Sequence, residues 1–263
     1  MSESDALEQA FLETLAGLSA ELPHLIVVGG WCPYLYSAYL WKKPVPHIPT
    51  TMDVDLGVTE TGARRFETTV YDRLKRLGLE MEPLHDGEPE PIEFVSSREH
   101  LQMKLEFITS FETSDDTLKR FLGKKLACHR IDAFEILLKD PVTLEVGKRR
   151  KLAVQAARPE LFLFHKGITF INRSASLKRD KDLFYVYFIL RFSPDLPALL
   201  EALAQLKSHE YFNPFRKNLV RHLKDPSRPG YLMLRPFIAR WIPEREINQE
   251  IEETFRGLLK LLR

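Results

Sequence analysis

The sequence predicts an α/β (α+β) chain: a mixed sheet flanked by helices over residues 1–157, followed by a helical half over 158–263 that completes a cleft. Three observations carry this. A short β-branched run at 24–28 stops at Gly29-Gly30, a strand at 51–58 alternates apolar with polar residues, and after Pro159 the apolar spacing turns helical.

Taken in order, Leu7, Phe11, Leu15 and Leu18 predict an amphipathic helix over 5–20 that ends before Pro23. His24 to Val28 reads as a buried strand, and Tyr34, Leu35, Ala38 and Tyr39 as the helix after the glycine turn. The proline-rich segment 43–49 is a loop that delivers the chain, through Thr50-Thr51, into Thr51-Met52-Asp53-Val54-Asp55-Leu56-Gly57-Val58. Period-2 alternation puts Asp53 and Asp55 on one face of that strand. Residues 61–77 predict a helix capped by Gly78, and 92–95 and 101–109 predict two strands joined by a turn at Ser96-Ser97-Arg98-Glu99. Between 111 and 157 only Phe134 to Leu138 and Leu152 to Ala156 read as strands. Helices are expected over 161–171, 181–191, 196–206, 212–223 and 247–262.

Composition excludes several classes. Hydrophobic residues at 44% and charged residues at 29% fit a globular chain rather than a disordered or fibrous one. The net charge of +1 gives no global case for a polyanion or a membrane surface. Acidic residues crowd 80–93, and basic ones crowd 119–130, 148–151 and 173–181, where they form either a solvated surface or a face toward a polyanion. Cys32 and Cys128 are too few for a disulfide framework. The eight histidines lack metal-ligand spacing. With no leader pattern and no run of 18 apolar residues, a cytoplasmic location without membrane contact is expected.

The chemistry concentrates at two places. Glycines at a strand-to-helix turn let backbone approach a ligand and leave amides for an anion. Two carboxylates on one strand face repel unless a cation lies between them, and magnesium favours one or two carboxylates plus phosphate oxygens. A polar edge-strand face is the alternative.

The order of Gly29-Gly30-Trp31, a helix, a loop and Thr51-Met52-Asp53-Val54-Asp55-Leu56 resembles the nucleotidyltransferase fold of DNA polymerase beta and kanamycin nucleotidyltransferase, and most closely its AbiEii-like toxin branch. The interval of 31–52 is longer than in minimal members, and Trp31 replaces a small residue. The resemblance implies magnesium held by Asp53, Asp55 and a third carboxylate from a later strand, with Gly29, Gly30 and Thr51 at the nucleotide. Glu106 is the candidate third carboxylate and Glu93 competes with it. Lys166, followed by Arg173, Lys178, Arg179 and Lys181-Asp182, resembles the branch's helix lysine and Lys-Asp pattern. Lys166 and Lys181 would then offset triphosphate charge, with Asp182 orienting one of them through a buried pair. The implied activity is magnesium-dependent transfer of a nucleoside monophosphate to an RNA or protein hydroxyl, in the toxin setting with an antitoxin partner. A catalytically degenerate binding module acting through a partner is the alternative.

Overall fold

In the computed structural model, residues 3–43, 45, 51–62, 64–83, 92–98, 101–147 and 151–263 are described. By backbone proximity the chain divides into two units, Met1–Leu40 with Pro49–Ala157, and Trp41–Ile48 with Arg158–Arg263.

The first unit opens with α1 (Glu3–Gly17), β1 (Leu25–Val28), the short α2 (Cys32–Leu35) and β2 (Asp53–Val58). It continues through α3 (Val70–Arg76), β3 (Glu80–Pro83), β4 (Ile92–Arg98), β5 (Leu101–Thr109) and α4 (Asp115–Phe121). It closes with β6 (His129–Arg130), α5 (Glu135–Leu138), β7 (Val142–Val146) and β8 (Leu152–Ala156). Among the described residues these strands form one sheet in the order β3-β4-β5-β2-β1-β8-β7, with β6 beside β5. The β2–β5, β1–β8 and β5–β6 pairs are parallel and the others antiparallel. β1 lies well inside the sheet because all four of its residues are apolar and buried. Leu7, Phe11, Leu15 and Leu18 form the buried stripe at the start of the chain, and Phe11 stacks on Trp31 with ring centroids 4.0 Å apart.

Several expectations need correction. The apolar run 134–138 is not a strand; Glu135–Leu138 is helical, with Leu138 over Gly57. A run of four or five apolar residues suits a buried helix turn as well as a strand. The helix expected over 61–77 is confined to Val70–Arg76, because Thr69 caps it by accepting from the Asp72 N–H at 3.2 Å. Ser96 to Arg98 continue β4 instead of turning, with Arg98 paired to Leu101. The loop expected over 43–49 falls largely outside the described residues.

The second unit is helical: α6 (Pro159–Thr169), α7 (Ser176–Phe192), α8 (Leu196–Gln205), α9 (Phe212–Leu223), α10 (Pro229–Ile238) and α11 (Ile247–Leu261). Residues 182–190 of α7 are all buried, as are 160–168 of α6, so these two helices form the middle of the unit. Gly167 permits the close approach of α9, since a Cβ there would lie 2.5 Å from the Phe215 ring. α11 buries Ile247, Ile251, Phe255 and Leu258, and its Glu250 accepts from the Tyr187 hydroxyl at 2.7 Å and Arg191 at 2.6 Å. α7 begins five residues before the expected start at 181. α10 has no counterpart in the sequence expectation, its periodicity being broken by Pro229, Gly230 and Pro236. Among the described residues no helix is long and apolar enough to cross a membrane.

Candidate functional site

The period-2 pattern of β2 sorts its side chains. Val54 and Leu56 are fully buried, while Asp53 and Asp55 lie partly exposed on the opposite face. Neighbouring β5 repeats the pattern, with Met103, Leu105 and Phe107 buried and Lys104 and Glu106 partly exposed. The parallel register aligns Asp53 with Lys104 and Asp55 with Glu106, so a quartet of three carboxylates and one ammonium shares a single face. Lys104 Nζ lies 3.4 Å from Glu106 Oε1.

Gly29 ends β1 beside this quartet, because the antiparallel β1–β2 register aligns Val28 with Asp55. Its φ of 67° is in the left-handed region, and a Cβ at this position would lie 1.7 Å from Asp55 Oδ2 and 2.6 Å from Asp55 Cγ. Only a glycine both adopts this turn and leaves room for that carboxylate. Gly30 is buried behind it. Thr51 is 8% exposed and its hydroxyl accepts from the Asp53 N–H at 3.4 Å, while the Lys104 N–H donates to Met52 O at 3.1 Å. The start of β2 is thereby fixed on both sides. Trp31 faces the core at 2% exposure, which explains how a large residue is accommodated after the glycines.

Asp53 and Asp55 supply hard oxygen donors on one open face, which suits a magnesium ion that takes its remaining ligands from water and phosphate. Among the described residues no group of three His, Cys, Asp or Glu side chains is gathered to hold a metal by itself. Glu106, the third carboxylate of this face, is engaged by Lys104. The side chain of Glu93, the competing third carboxylate, lies outside the described residues.

Lys166, Lys181 and Asp182 belong to the second unit. Lys166 on α6 is 5% exposed and donates to Asp182 Oδ1 on α7 at 2.8 Å. Arg173, in the α6–α7 connection, donates to Asp182 Oδ2 at 3.0 Å while 41% of its side chain stays exposed. Burial alone would push the Asp182 carboxyl up; the Lys166 ammonium and Arg173 guanidinium outweigh it and hold the carboxyl below its usual range. Lys166 also lies 5.7 Å from the centroids of the Phe162 and Tyr185 rings. Lys181 is partly exposed one residue before Asp182. The second grip on Asp182, by Arg173, escaped the sequence reading. Its signal is the Lys166–Arg173 interval spanning the end of a helix, which returns Arg173 toward α7 only once the turn is known.

A family model described as nucleotidyltransferase matches residues 8–205. No curated protein matches the chain. Among solved structures, the chain is similar to the crystal structure of an antigenic nucleotidyltransferase-like protein from Paracoccidioides brasiliensis. The two share 16% identity over 81% of this chain and 93% of that one, with a TM-score of 0.44.

Proposed function

Since the chain belongs to this nucleotidyltransferase family, we propose that it transfers a nucleoside monophosphate from a nucleoside triphosphate to a hydroxyl of an RNA or protein acceptor, in a magnesium-dependent reaction. The observation that supports this most is the Asp53–Asp55 pair on the open face of β2, with the Gly29 turn pressed against one of its carboxylates.

Asp53 and Asp55 would hold the ion. A magnesium ion held by these two residues would supply charge stabilisation for the departure of pyrophosphate. Gly29 and Gly30 keep side chains away from the phosphates, and Thr51 fixes the strand that presents Asp53. Glu106 serves as the third carboxylate and the base toward the acceptor hydroxyl, and its ion pair with Lys104 holds it until substrate arrives. In the second unit Lys166 and Asp182 form a buried pair, and Arg173 and Lys181, both reaching the surface, would supply positive charge toward a polyphosphate. We assign the finer identity to the AbiEii-like branch, acting in the cytoplasm with an antitoxin partner, on the strength of the Gly-Gly, Asp-x-Asp and Lys-Asp patterns.

A second reading, a catalytically degenerate module that binds nucleotide or a partner, is favoured by the engagement of Glu106 with Lys104. Calorimetry of each of the four nucleoside triphosphates with magnesium, on wild type and an Asp53→Ala/Asp55→Ala variant, tests the first. Magnesium-dependent binding abolished in the variant is expected, together with pyrophosphate release once an acceptor is supplied. Absence of binding by folded wild type overturns the nucleotide site, and binding without pyrophosphate release in a cell-extract RNA and protein pool favours the degenerate module.

A further inference from the structure

The formal charge of +1 conceals a division. The second unit carries 21 Lys and Arg against 12 Asp and Glu, a formal +9, and the first carries 17 against 25, a formal −8. Within the second unit the excess is not spread evenly, since five of its carboxylates fall between Glu244 and Glu253.

α9 has no acidic residue. Phe215, Leu219 and Leu223 are its buried side, and Lys217, Arg221 and Lys224 lie exposed on the opposite side. At about 100° per residue those three fall within roughly 60° of one another, and they extend about 10 Å along the axis. Cations in the last turn ease the helix dipole, but Lys217 lies well before that turn and gains nothing from it. The helix is held rigidly: Asn218 Nδ2 donates to Ile168 O at 2.8 Å and Gly167 O at 3.2 Å, and the His222 ring meets the Phe170 ring edge-on at 5.0 Å.

The same face continues onto the start of α7. Arg179 and Arg221 both act on the charge of His222, so α7 and α9 bring their cations to a common border. Lys178, beside Arg179, is exposed. Arg179 pairs with its neighbour Asp180 at 3.3 Å.

We propose that this face of α7 and α9 binds the phosphate backbone of a nucleic-acid strand. Its length suits two or three consecutive phosphates. No large apolar side chain is exposed on α9, and at the start of α7 Leu177 is exposed singly, so the face lacks the apolar stripe by which a basic helix settles into a membrane surface. Phosphate contacts of this kind orient a strand and displace its counterions, giving an affinity that falls steeply with salt. The proposal is carried by the second unit alone and does not depend on the carboxylate site being active.

The test is fluorescence anisotropy of a labelled 20-nucleotide single-stranded RNA with the full chain, repeated from 50 to 300 mM salt. A Lys217→Ala/Arg221→Ala/Lys224→Ala variant of unchanged Tm is expected to weaken binding roughly tenfold or more at low salt. It should also flatten the log–log salt slope by about 2, three lost phosphate contacts at ~0.7 each. An Arg245→Ala/Arg256→Ala/Lys260→Ala variant, removing the same charge from the acidic Glu244–Glu246 turn and α11, should bind as wild type. So should Asp53→Ala/Asp55→Ala, which separates this inference from the fate of the nucleotide site. The proposal is overturned if wild type does not bind, or if the two triple variants weaken binding equally. It is also overturned if polyglutamate or phosphatidylserine vesicles compete as well as unlabelled RNA at equal charge, since the face would then serve an acidic protein or a membrane.

Discussion

Gly29→Ala tests the centre of the site most directly. An alanine at φ 67° costs about 1–2 kcal/mol in the left-handed region. Its Cβ, placed 1.7 Å from Asp55 Oδ2, must also push that carboxylate aside by roughly 1.5 Å, an overpacking cost of about 1–3 kcal/mol. Together these lower Tm by roughly 4–20 °C at the 2–4 °C per kcal/mol usual for chains near this size. Magnesium-dependent nucleotide binding should fall with it, because the displaced carboxylate is a proposed ligand. The discriminating experiment is the double-mutant cycle with Asp55→Ala, read by urea unfolding. Asp55→Ala removes Cγ and both oxygens, so the overpacking part disappears and the conformational part remains. A coupling of about 1–3 kcal/mol, with Gly29→Ala costing less in the Asp55→Ala background, is expected. Additivity within about 0.5 kcal/mol would refute the close contact between the turn and the carboxylate.

Asp182→Asn should destabilise the chain by about 3–5 kcal/mol in urea unfolding, since it leaves the Lys166 ammonium buried without its counter-charge. A Lys166→Met/Asp182→Leu pair should recover most of that loss, and failure to recover would mean the pair does more than neutralise itself. Lys104→Met should raise the affinity for manganese, measured by calorimetry without nucleotide, by roughly 5–30-fold. That corresponds to ~1–2 kcal/mol for removing one charge a strand spacing, about 5 Å, from the carboxylates that would hold the ion, in near-aqueous surroundings; a fall in affinity would assign Lys104 to orienting Glu106 instead. Glu60 accepts from the Ser114 and Gly62 N–H groups, each at 3.0 Å, and from the Thr117 hydroxyl, and these bonds outweigh desolvation and lower its carboxyl to about 2. A depressed carboxyl stabilises above its ordinary range near 4.5 and loses that contribution as pH falls toward 2. Glu60→Gln should therefore unfold more easily than wild type at pH 6, with the difference vanishing toward pH 2; a constant difference would place the effect in packing.

How much of this could be read beforehand depended on whether the information was local. Asp53 and Asp55 share a face because of a two-residue period that Val54 and Leu56 make visible, and β1 is interior because Leu25 to Val28 leave no polar side. The pairing of Lys104 with Asp53, and of Glu106 with Asp55, needed the β2–β5 register, which joins strands some 50 residues apart. β3 was missed because Glu80 to Pro83 are only four residues, exposed throughout, at the head of an acidic run. β7 has alternation, with Leu144 and Val146 buried, but it is a short sheet-edge strand between charged loops. α10 was hidden by prolines at its first and eighth positions, the first of which is tolerated because its missing N–H has no helical partner anyway.

Lys166 shows how burial changes what a motif residue does. In sequence it is a cation after Leu161-Phe162-Leu163-Phe164-His165, suited to offsetting phosphate charge. In the fold that apolar run turns it inward, where the Asp182 carboxylate takes one end of its charge and two aromatic rings flank it. A lysine at 5% exposure already paired at 2.8 Å has little field left to offer a ligand, and withdrawing it would leave a buried carboxylate. The second oxygen of Asp182 fixes Arg173, whose guanidinium keeps a large exposed part. Of the three formal charges two cancel inside, and the surviving positive charge reaches solvent through an arginine whose planar fork is suited to phosphate. Lys166→Met should then reduce stability more than nucleotide affinity, and Arg173→Ala the reverse; equal loss of affinity in both would restore Lys166 to direct contact.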